Sequence, residues 1–76
     1  MDTKSNLIAN IYHQVNTYGE FLLWEVEISI QNESYHATKI FINEDNIAVV
    51  ELENDIEIDI EELSYNELIE VYESIT

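Results

Sequence analysis

The chain of 76 residues lacks several residue types, and each absence excludes a class of protein. It contains no cysteine, which removes disulfides, thiolate catalysis and cysteine-ligated zinc and leads us to expect a cytoplasmic protein. Its apolar runs reach only four residues, at 21–24 and 47–50, so we expect neither a signal peptide nor a membrane-spanning segment.

Positive charge is also scarce in this sequence. Seventeen acidic residues face two lysines, Lys4 and Lys39, which gives a formal net charge of −15. A small domain needs a net charge of only about 2 to 8 in magnitude for solubility. The additional charge lowers stability because like charges on a compact body repel one another. The excess therefore predicts a positively charged partner and argues against direct binding of nucleic acid or of anionic membrane surfaces.

Apolar residues make up 46% of the chain and recur with regular periods, which is typical of a folded domain rather than a disordered segment. A chain of this length builds one hydrophobic core, so residues 1–76 are expected to form a single domain.

A first helix is predicted for residues 6–18, which follow the helical period. Thr3 or Ser5 is the candidate N-cap, and Gly19, the only glycine, is the left-handed residue that ends the helix. The apolar face of this helix consists of Leu7, Ile8, Ile11, Val15 and Tyr18.

Three segments that favour β-strands follow the first helix. Residues 21–31, 35–42 and 47–52 are rich in β-branched and aromatic side chains, and polar residues at 32–34 and 43–46 provide turns between them. Short turns between successive strands predict an antiparallel meander, and apolar residues on both faces of 47–52 indicate a central strand. In the first strand, the side chains expected on the buried face are Leu22, Trp24, Val26, Ile28 and Ile30.

A second helix is predicted for residues 64–75. Ser64 and Glu67 have the spacing of a capping box, and Leu63 and Leu68 have that of a hydrophobic staple. The fold class is then α+β: two helices with an antiparallel sheet of three strands, or four, in the order α-β-β-β-α. In this helix, the inward side chains are Leu68, Val71 or Tyr72, and Ile75, and the outward ones are Glu67, Glu70, Glu73 and Ser74.

Residues 51–62 alternate acidic and aliphatic side chains. On a β-strand this period places the carboxylates on one face and the aliphatic side chains on the other. Successive carboxylates are then about 6.6 Å apart, so that their row approximates a line of phosphates. Glu53, Asn54 and Asp55 also have the composition of a turn, so the segment forms either one strand or two, the second at 56–60. The acidic residues are Glu51, Glu53, Asp55, Glu57, Asp59, Glu61 and Glu62, and the aliphatic ones are Leu52, Ile56, Ile58 and Ile60.

A charge run of this kind is most often a solvated strand and helix face, and it can also form a calcium-binding loop. Asp55, Glu57, Asp59 and Glu61 have the spacing of the first ligands of an EF-hand, but Ile60 stands where that loop needs glycine. We therefore expect no dedicated metal site and no cofactor.

No catalytic motif is found in the sequence. Paired carboxylates need a cleft that separates their pKa values, and 76 residues leave little room to enclose a substrate. His13 and His36 have no serine or cysteine nucleophile placed beside them by a motif, so each is expected to be a surface or half-buried histidine. We therefore expect a non-enzymatic protein.

In acidity, length, lack of cysteine and element order, the chain resembles phage-encoded DNA-mimic proteins, in particular the small anti-CRISPR inhibitors of Cas9. This resemblance covers the whole chain in architecture and charge. It implies an inhibitor that acts in the cytoplasm of a host cell. The carboxylates of this inhibitor would bind the arginines and lysines of a basic nucleic-acid-binding protein such as a CRISPR nuclease. Glu25 and Glu27 would extend the site on the same sheet. The partner-binding residues that it implies are Glu51, Glu53, Asp55, Glu57, Asp59, Glu61, Glu62, Glu67, Glu70 and Glu73.

Two other functions fit the same features. An immunity protein or antitoxin that neutralises a basic nuclease toxin would use the same electrostatic attraction. A structural or adaptor subunit would carry the charge only as a solvated surface and would hold its partner through an apolar patch at high salt. Self-repulsion favours a monomer.

Overall fold

Two α-helices and a five-stranded antiparallel sheet make up the computed structural model, which describes residues 3–76. The expected α+β class and the order of helix, strands and helix are confirmed, with five strands instead of three or four. Among the described residues, no helix is long and apolar enough to cross a membrane. The elements are α1 (Thr3–Tyr18), β1 (Phe21–Leu22), β2 (Glu27–Ile30), β3 (Glu33–Ile42), β4 (Ala48–Leu52), β5 (Glu57–Asp59), a 3-10 turn (Ile60–Glu62) and α2 (Tyr65–Ile75).

The first helix ends where the sequence predicts and begins earlier. Gly19 has a φ of +88°, and its N–H donates to the Val15 carbonyl at 2.8 Å, which is the expected left-handed end of the helix. Both candidate N-caps, Thr3 and Ser5, lie inside α1, so the expectation that one of them precedes the helix was wrong. Tyr18, expected on the apolar face, is exposed and makes an edge-on ring contact with Phe21.

The single strand predicted for residues 21–31 is broken in two. Leu23 and Val26 are buried, whereas Leu22 and Trp24, which the alternation placed inward, are 61% and 73% exposed. The interruption shifts the alternation, because the four residues 23–26 lie between β1 and β2 opposite only two residues of β3, and one of the four, Glu25, has a φ of +58°. The prediction was wrong at this point because a regular period in the sequence does not show where extra residues interrupt a strand.

The next two turns follow ordinary turn chemistry. Gln31 and Asn32 have φ values of +50° and +68°, as in a type I′ hairpin turn, so β3 starts at Glu33 and the turn is shorter than the predicted 32–34. In the turn before β4, the Asn43 side-chain oxygen accepts from the backbone N–H groups of Asp45 and Ile47, at 2.8 and 3.1 Å. This second turn was predicted correctly.

Residues 51–62 form two strands and a turn rather than one strand. β4 ends at Leu52, the chain reverses with Asp55 at a φ of +66°, and β5 returns with Glu57 opposite Glu51 and Asp59 opposite Val49. The strand predicted at 47–52 is central as expected, since β4 lies between β3 and β5. Ile56 is 46% exposed and is not part of the expected aliphatic row.

The strand order is β1 and β2 together, then β3, β4 and β5, which is the expected meander. The core forms between the helices and one face of this sheet, because alternate residues such as Ile40 and Val50 pack with Ile11, Leu68 and other helical side chains. We call this face of the sheet the inner face and the opposite one the outer face.

The predicted capping box is present at the start of α2. The Glu67 N–H donates to the Ser64 hydroxyl at 3.2 Å, and the Ser64 N–H donates to Glu67 Oε1 at 2.9 Å. Leu63 and Leu68, the expected staple, are both buried, as are Val71 and Ile75 on the inward face of the helix.

Two of the side chains expected to point from α2 into solvent contact the sheet instead. Glu67 Oε2 accepts from the Ser29 N–H at 2.8 Å, and the Ser74 hydroxyl oxygen accepts from the Trp24 N–H at 3.0 Å. These bonds occupy two backbone donors, one on β2 and one between β1 and β2, so neither donor is open to another strand.

Candidate partner-binding surface

The outer face of the sheet carries most of its charge on β4 and β5. Residues that pair directly across antiparallel strands point to the same side, so Lys39, Glu51 and Glu57 share this face. Phe41 and Val49 form a second pair on it, and Val49 is only 4% exposed although it lies outside the core cluster. The outer face thus has an apolar centre beside a group of carboxylates.

One carboxylate on this face already has a positively charged neighbour. Lys39 Nζ lies 3.9 Å from Glu51 Oε2 and 5.2 Å from the centre of the Phe41 ring. Both charged side chains are about one-third exposed or less, and an ion pair of this kind contributes roughly 0 to 1 kcal/mol. Glu51 is therefore partly neutralised within the protein and is less available to a partner than its neighbours.

Glu57 and Asp59 follow each other on the outer face of β5. Glu57 is exposed, and its position opposite Glu51 puts two like charges side by side, which is unfavourable for the sheet. Asp59 also has a structural role, because its Oδ1 accepts the Glu61 N–H at 2.9 Å and caps the 3-10 turn. Unlike Glu51 and Asp59, Glu57 thus has no contact described above that would explain a carboxylate at its position on the strand.

The other acidic residues of the segment surround these strands. Glu53 and Asp55 are exposed in the turn between β4 and β5, and Glu61 and Glu62 are exposed on the 3-10 turn that follows. We call residues 51–62 the acidic hairpin. All seven carboxylates that the sequence predicted in this segment therefore belong to one hairpin and its continuation, although they do not form a single row.

The acidic residues predicted on α2 are in a different place. Glu67 uses both carboxylate oxygens within the protein, in the capping box and in the bond to Ser29. Glu70 is exposed and lines an open groove with Glu27, Ser29 and Ser34, beside β2. Since β2 and β5 are opposite edges of the sheet, the fold does not join this group to the β5 carboxylates on one strand face. Glu73 is exposed farther along the helix.

The two proposed extensions of the site are also separated from the acidic hairpin. Glu25 is exposed in the interruption between β1 and β2, so it does not extend a regular strand. Glu27 is on β2, where its Oε2 accepts from the Ser34 hydroxyl at 3.3 Å and its Oε1 lies 3.9 Å from His36 Nδ1.

Two acidic residues beside the outer face were not assigned to the site from the sequence. Glu44 and Asp45, in the turn between β3 and β4, line a shallow depression of about 420 Å³ together with Phe41 and Glu57. The strand pairing brings them there, and no local pattern in the sequence shows it. The turn residues were visible as acidic, but their proximity to Glu57 depends on the register of three strands.

Metal-binding and titratable groups add little to this surface. Within residues 3–76, no group of three or more histidine, aspartate and glutamate side chains is arranged to hold a metal ion. His13 and His36 are both exposed. The Tyr35 hydroxyl donates to Glu33 Oε2 at 2.6 Å, and this hydrogen bond, with smaller effects of burial and nearby carboxylates, raises the pKa of Tyr35.

Comparison with known proteins yields no relative: no family model matches the chain, and neither a curated protein nor a solved structure is significantly similar to it.

Proposed function

We propose that this protein is a cytoplasmic, non-enzymatic inhibitor that occupies the basic nucleic-acid-binding cleft of a DNA-processing protein such as a CRISPR nuclease. The observation that supports the proposal is the acidic hairpin, which presents seven carboxylates within twelve consecutive residues of a chain that has only two lysines. Arginine and lysine side chains that normally contact phosphates are the natural partners of such a surface.

The hairpin presents its carboxylates on a rigid support. Four of the five residues of β4 are buried, and this strand is paired on both sides. A surface that is already ordered loses less conformational entropy on binding than a flexible acidic tail would. The net charge of −15 also attracts a basic cleft over a distance and speeds the encounter.

The arrangement of the carboxylates favours a patch over a line of phosphates. Glu57 and Asp59 are separated by about 6.6 Å along their strand, and Glu51 lies on the neighbouring strand about 4.8 Å away. The turn residues Glu53 and Asp55 continue the negative charge beyond the end of the strands. We infer that the hairpin contacts a cluster of basic side chains rather than replacing one extended DNA strand.

The proposal is tested by measuring whether the protein displaces DNA from a purified Cas9–guide RNA complex. A fluorescent target duplex is bound to the complex, and its release is followed by anisotropy. A hairpin variant, Glu53→Lys with Glu57→Lys, is compared with a helix variant, Glu70→Lys with Glu73→Lys, which changes the net charge equally. Glu51 and Asp59 stay unchanged because both have contacts within the fold.

We expect the wild-type protein to release the duplex and the hairpin variant to need at least about tenfold more protein for the same release. The helix variant should differ from wild type by only about twofold, since it alters net charge without touching the hairpin. Equal losses in the two variants would contradict the assignment of the hairpin as the site. Absence of release by the wild-type protein would contradict Cas9 as the target.

A further inference from the structure

We propose that the partner is held at a second place, by apolar side chains that cover Trp24. This inference rests on the proposed function, from which it takes the positive charge of the partner. The contact at Trp24 is an addition, because electrostatic mimicry alone does not require an apolar contact. The proposed contact centres on Trp24 and Glu25, with Leu22 preceding them at the end of β1, and we call these three residues the tryptophan bulge.

The tryptophan bulge is held in place by backbone hydrogen bonds on both sides. The Leu23 N–H donates to the Thr38 carbonyl at 3.0 Å, and the Ala37 N–H donates to the Val26 carbonyl at 2.9 Å. The two residues between these bonds project from the strand, and the Trp24 N–H is itself bound by Ser74 of α2. The indole is therefore carried by a backbone anchored at three points, and an anchored aromatic side chain loses little entropy on binding.

The fold gains little from this arrangement. Trp24 is the only tryptophan of the chain, yet it is 73% exposed, while the smaller Leu23 occupies the core. The neighbouring Glu25 adopts a left-handed conformation, which costs a non-glycine residue roughly 1 to 2 kcal/mol. Exposed large apolar side chains are characteristic of binding sites, and bulges commonly redirect a side chain toward a ligand.

The charges around the bulge indicate what kind of partner it fits. Glu20 and Glu25 are exposed on either side of Leu22 and Trp24 in the chain. Lys39 is paired opposite Leu22, but its ammonium group lies beside Glu51. A second copy of this protein would bring these carboxylates and two net charges of −15 together, which opposes association. A partner that presents apolar side chains beside arginine or lysine matches both features. Interfaces commonly have this plan, with a buried aromatic anchor and a charged rim.

The bulge and the acidic hairpin lie on opposite edges of the sheet, because β1 and β5 are the two ends of the strand order. A partner that contacts both places spans the width of the domain. Salt weakens the attraction of the hairpin but has little effect on burial of the indole. The bulge therefore supplies the part of the affinity that survives at high salt.

Two arginine-rich peptides of equal length and charge test this inference. In one peptide the arginines alternate with leucine, and in the other they alternate with serine. Binding of each labelled peptide is measured by anisotropy at low salt and at about 0.5 M salt, where charge attraction is largely screened. The proteins compared are wild type, Trp24→Ser, Leu22→Ser and the control Tyr65→Ser, which removes an exposed aromatic side chain outside the acidic hairpin, at the start of α2.

At high salt, we expect wild type to bind the leucine peptide at least about tenfold more tightly than the serine peptide. Trp24→Ser should remove this difference, Leu22→Ser should reduce it, and Tyr65→Ser should keep it. Emission from the single tryptophan should shift to shorter wavelength only with the leucine peptide, since that peptide removes the indole from water.

Equal binding of both peptides to wild type, or a preference for leucine that survives Trp24→Ser, would overturn the inference and leave the proposed function standing. A wild-type dimer that Trp24→Ser dissociates in sedimentation experiments would overturn it in favour of self-association. Failure of both peptides to bind wild type at low salt would contradict the electrostatic basis of the proposed function and, with it, this inference.

Discussion

At the scale of single residues, Ser64 and Glu67 connect the helix α2 to the chain that precedes it. We expect Ser64→Ala to lower the free energy of unfolding by about 1 kcal/mol, because an N-cap hydroxyl is lost. Glu67→Ala should cost more, since Glu67 also accepts the Ser29 N–H. Urea unfolding followed by circular dichroism measures both changes. Glu73→Ala, on the exposed side of the same helix, is the control and should have an effect within about 0.5 kcal/mol.

Tyr35 provides a prediction on pH dependence. Its hydrogen bond to Glu33 raises the pKa of the folded-state phenol above the ordinary value of 10.0. A raised pKa means that the stabilising contribution is complete below pH 10 and is lost as pH rises through the higher, folded-state value. Glu33→Gln should move the Tyr35 pKa down toward the ordinary value, as seen by NMR titration of the tyrosine ring carbons. A Tyr35 pKa at or below the ordinary value in wild type would contradict this assignment.

At the scale of elements, the broken first strand gives the sharpest test of the fold. Regular alternation places Trp24 in the core, whereas the structure buries Leu23 there. We therefore expect Leu23→Ala to lower the free energy of unfolding by about 2 to 4 kcal/mol, because a buried side chain leaves a cavity. Trp24→Ala should change it by less than about 1 kcal/mol. The opposite order in urea unfolding would show that the strand is continuous and that the indole faces the core.

The elements that the sequence predicted well have their causes nearby in the chain. Gly19 ends α1, Asn43 organises a turn through its own side chain, and Ser64 with Glu67 starts α2. The interruption after Leu23 could not be predicted in the same way. It depends on hydrogen bonds to β3 and to Ser74 of α2, which are distant in sequence.

The candidate site shows the same division between local and distant causes. The identity of the acidic residues in 51–62 was evident from their period, and Glu53 and Asp55 already had the composition of a turn. Their distribution over two strands follows from the pairing of β5 with β4, which is itself paired with β3. So does the contact between Glu51 and Lys39, and no local pattern indicates it.

At the scale of the whole molecule, the dominant feature is uncompensated negative charge. Net self-repulsion at −15 should make the folded state less stable at low ionic strength. We expect the free energy of unfolding to rise by about 1 kcal/mol or more between about 0.01 and 0.2 M sodium chloride, as the Debye length falls from roughly 30 Å to below 10 Å. Urea titrations at the two salt concentrations measure this change. A stability that falls with added salt would mean that attractive ion pairs dominate instead.

The measurement that tests the central claim most directly is a pull-down from a bacterial lysate with the wild-type protein, the hairpin variant and the helix variant. Each is washed at low and high salt, with competing duplex DNA in parallel samples, and retained proteins are identified by mass spectrometry. We predict that a nucleic-acid enzyme is retained by wild type and by the helix variant at low salt, is displaced by DNA, and is lost from the hairpin variant. A retained protein that ignores DNA and binds all three proteins equally would contradict the claim that the acidic hairpin occupies a nucleic-acid-binding cleft.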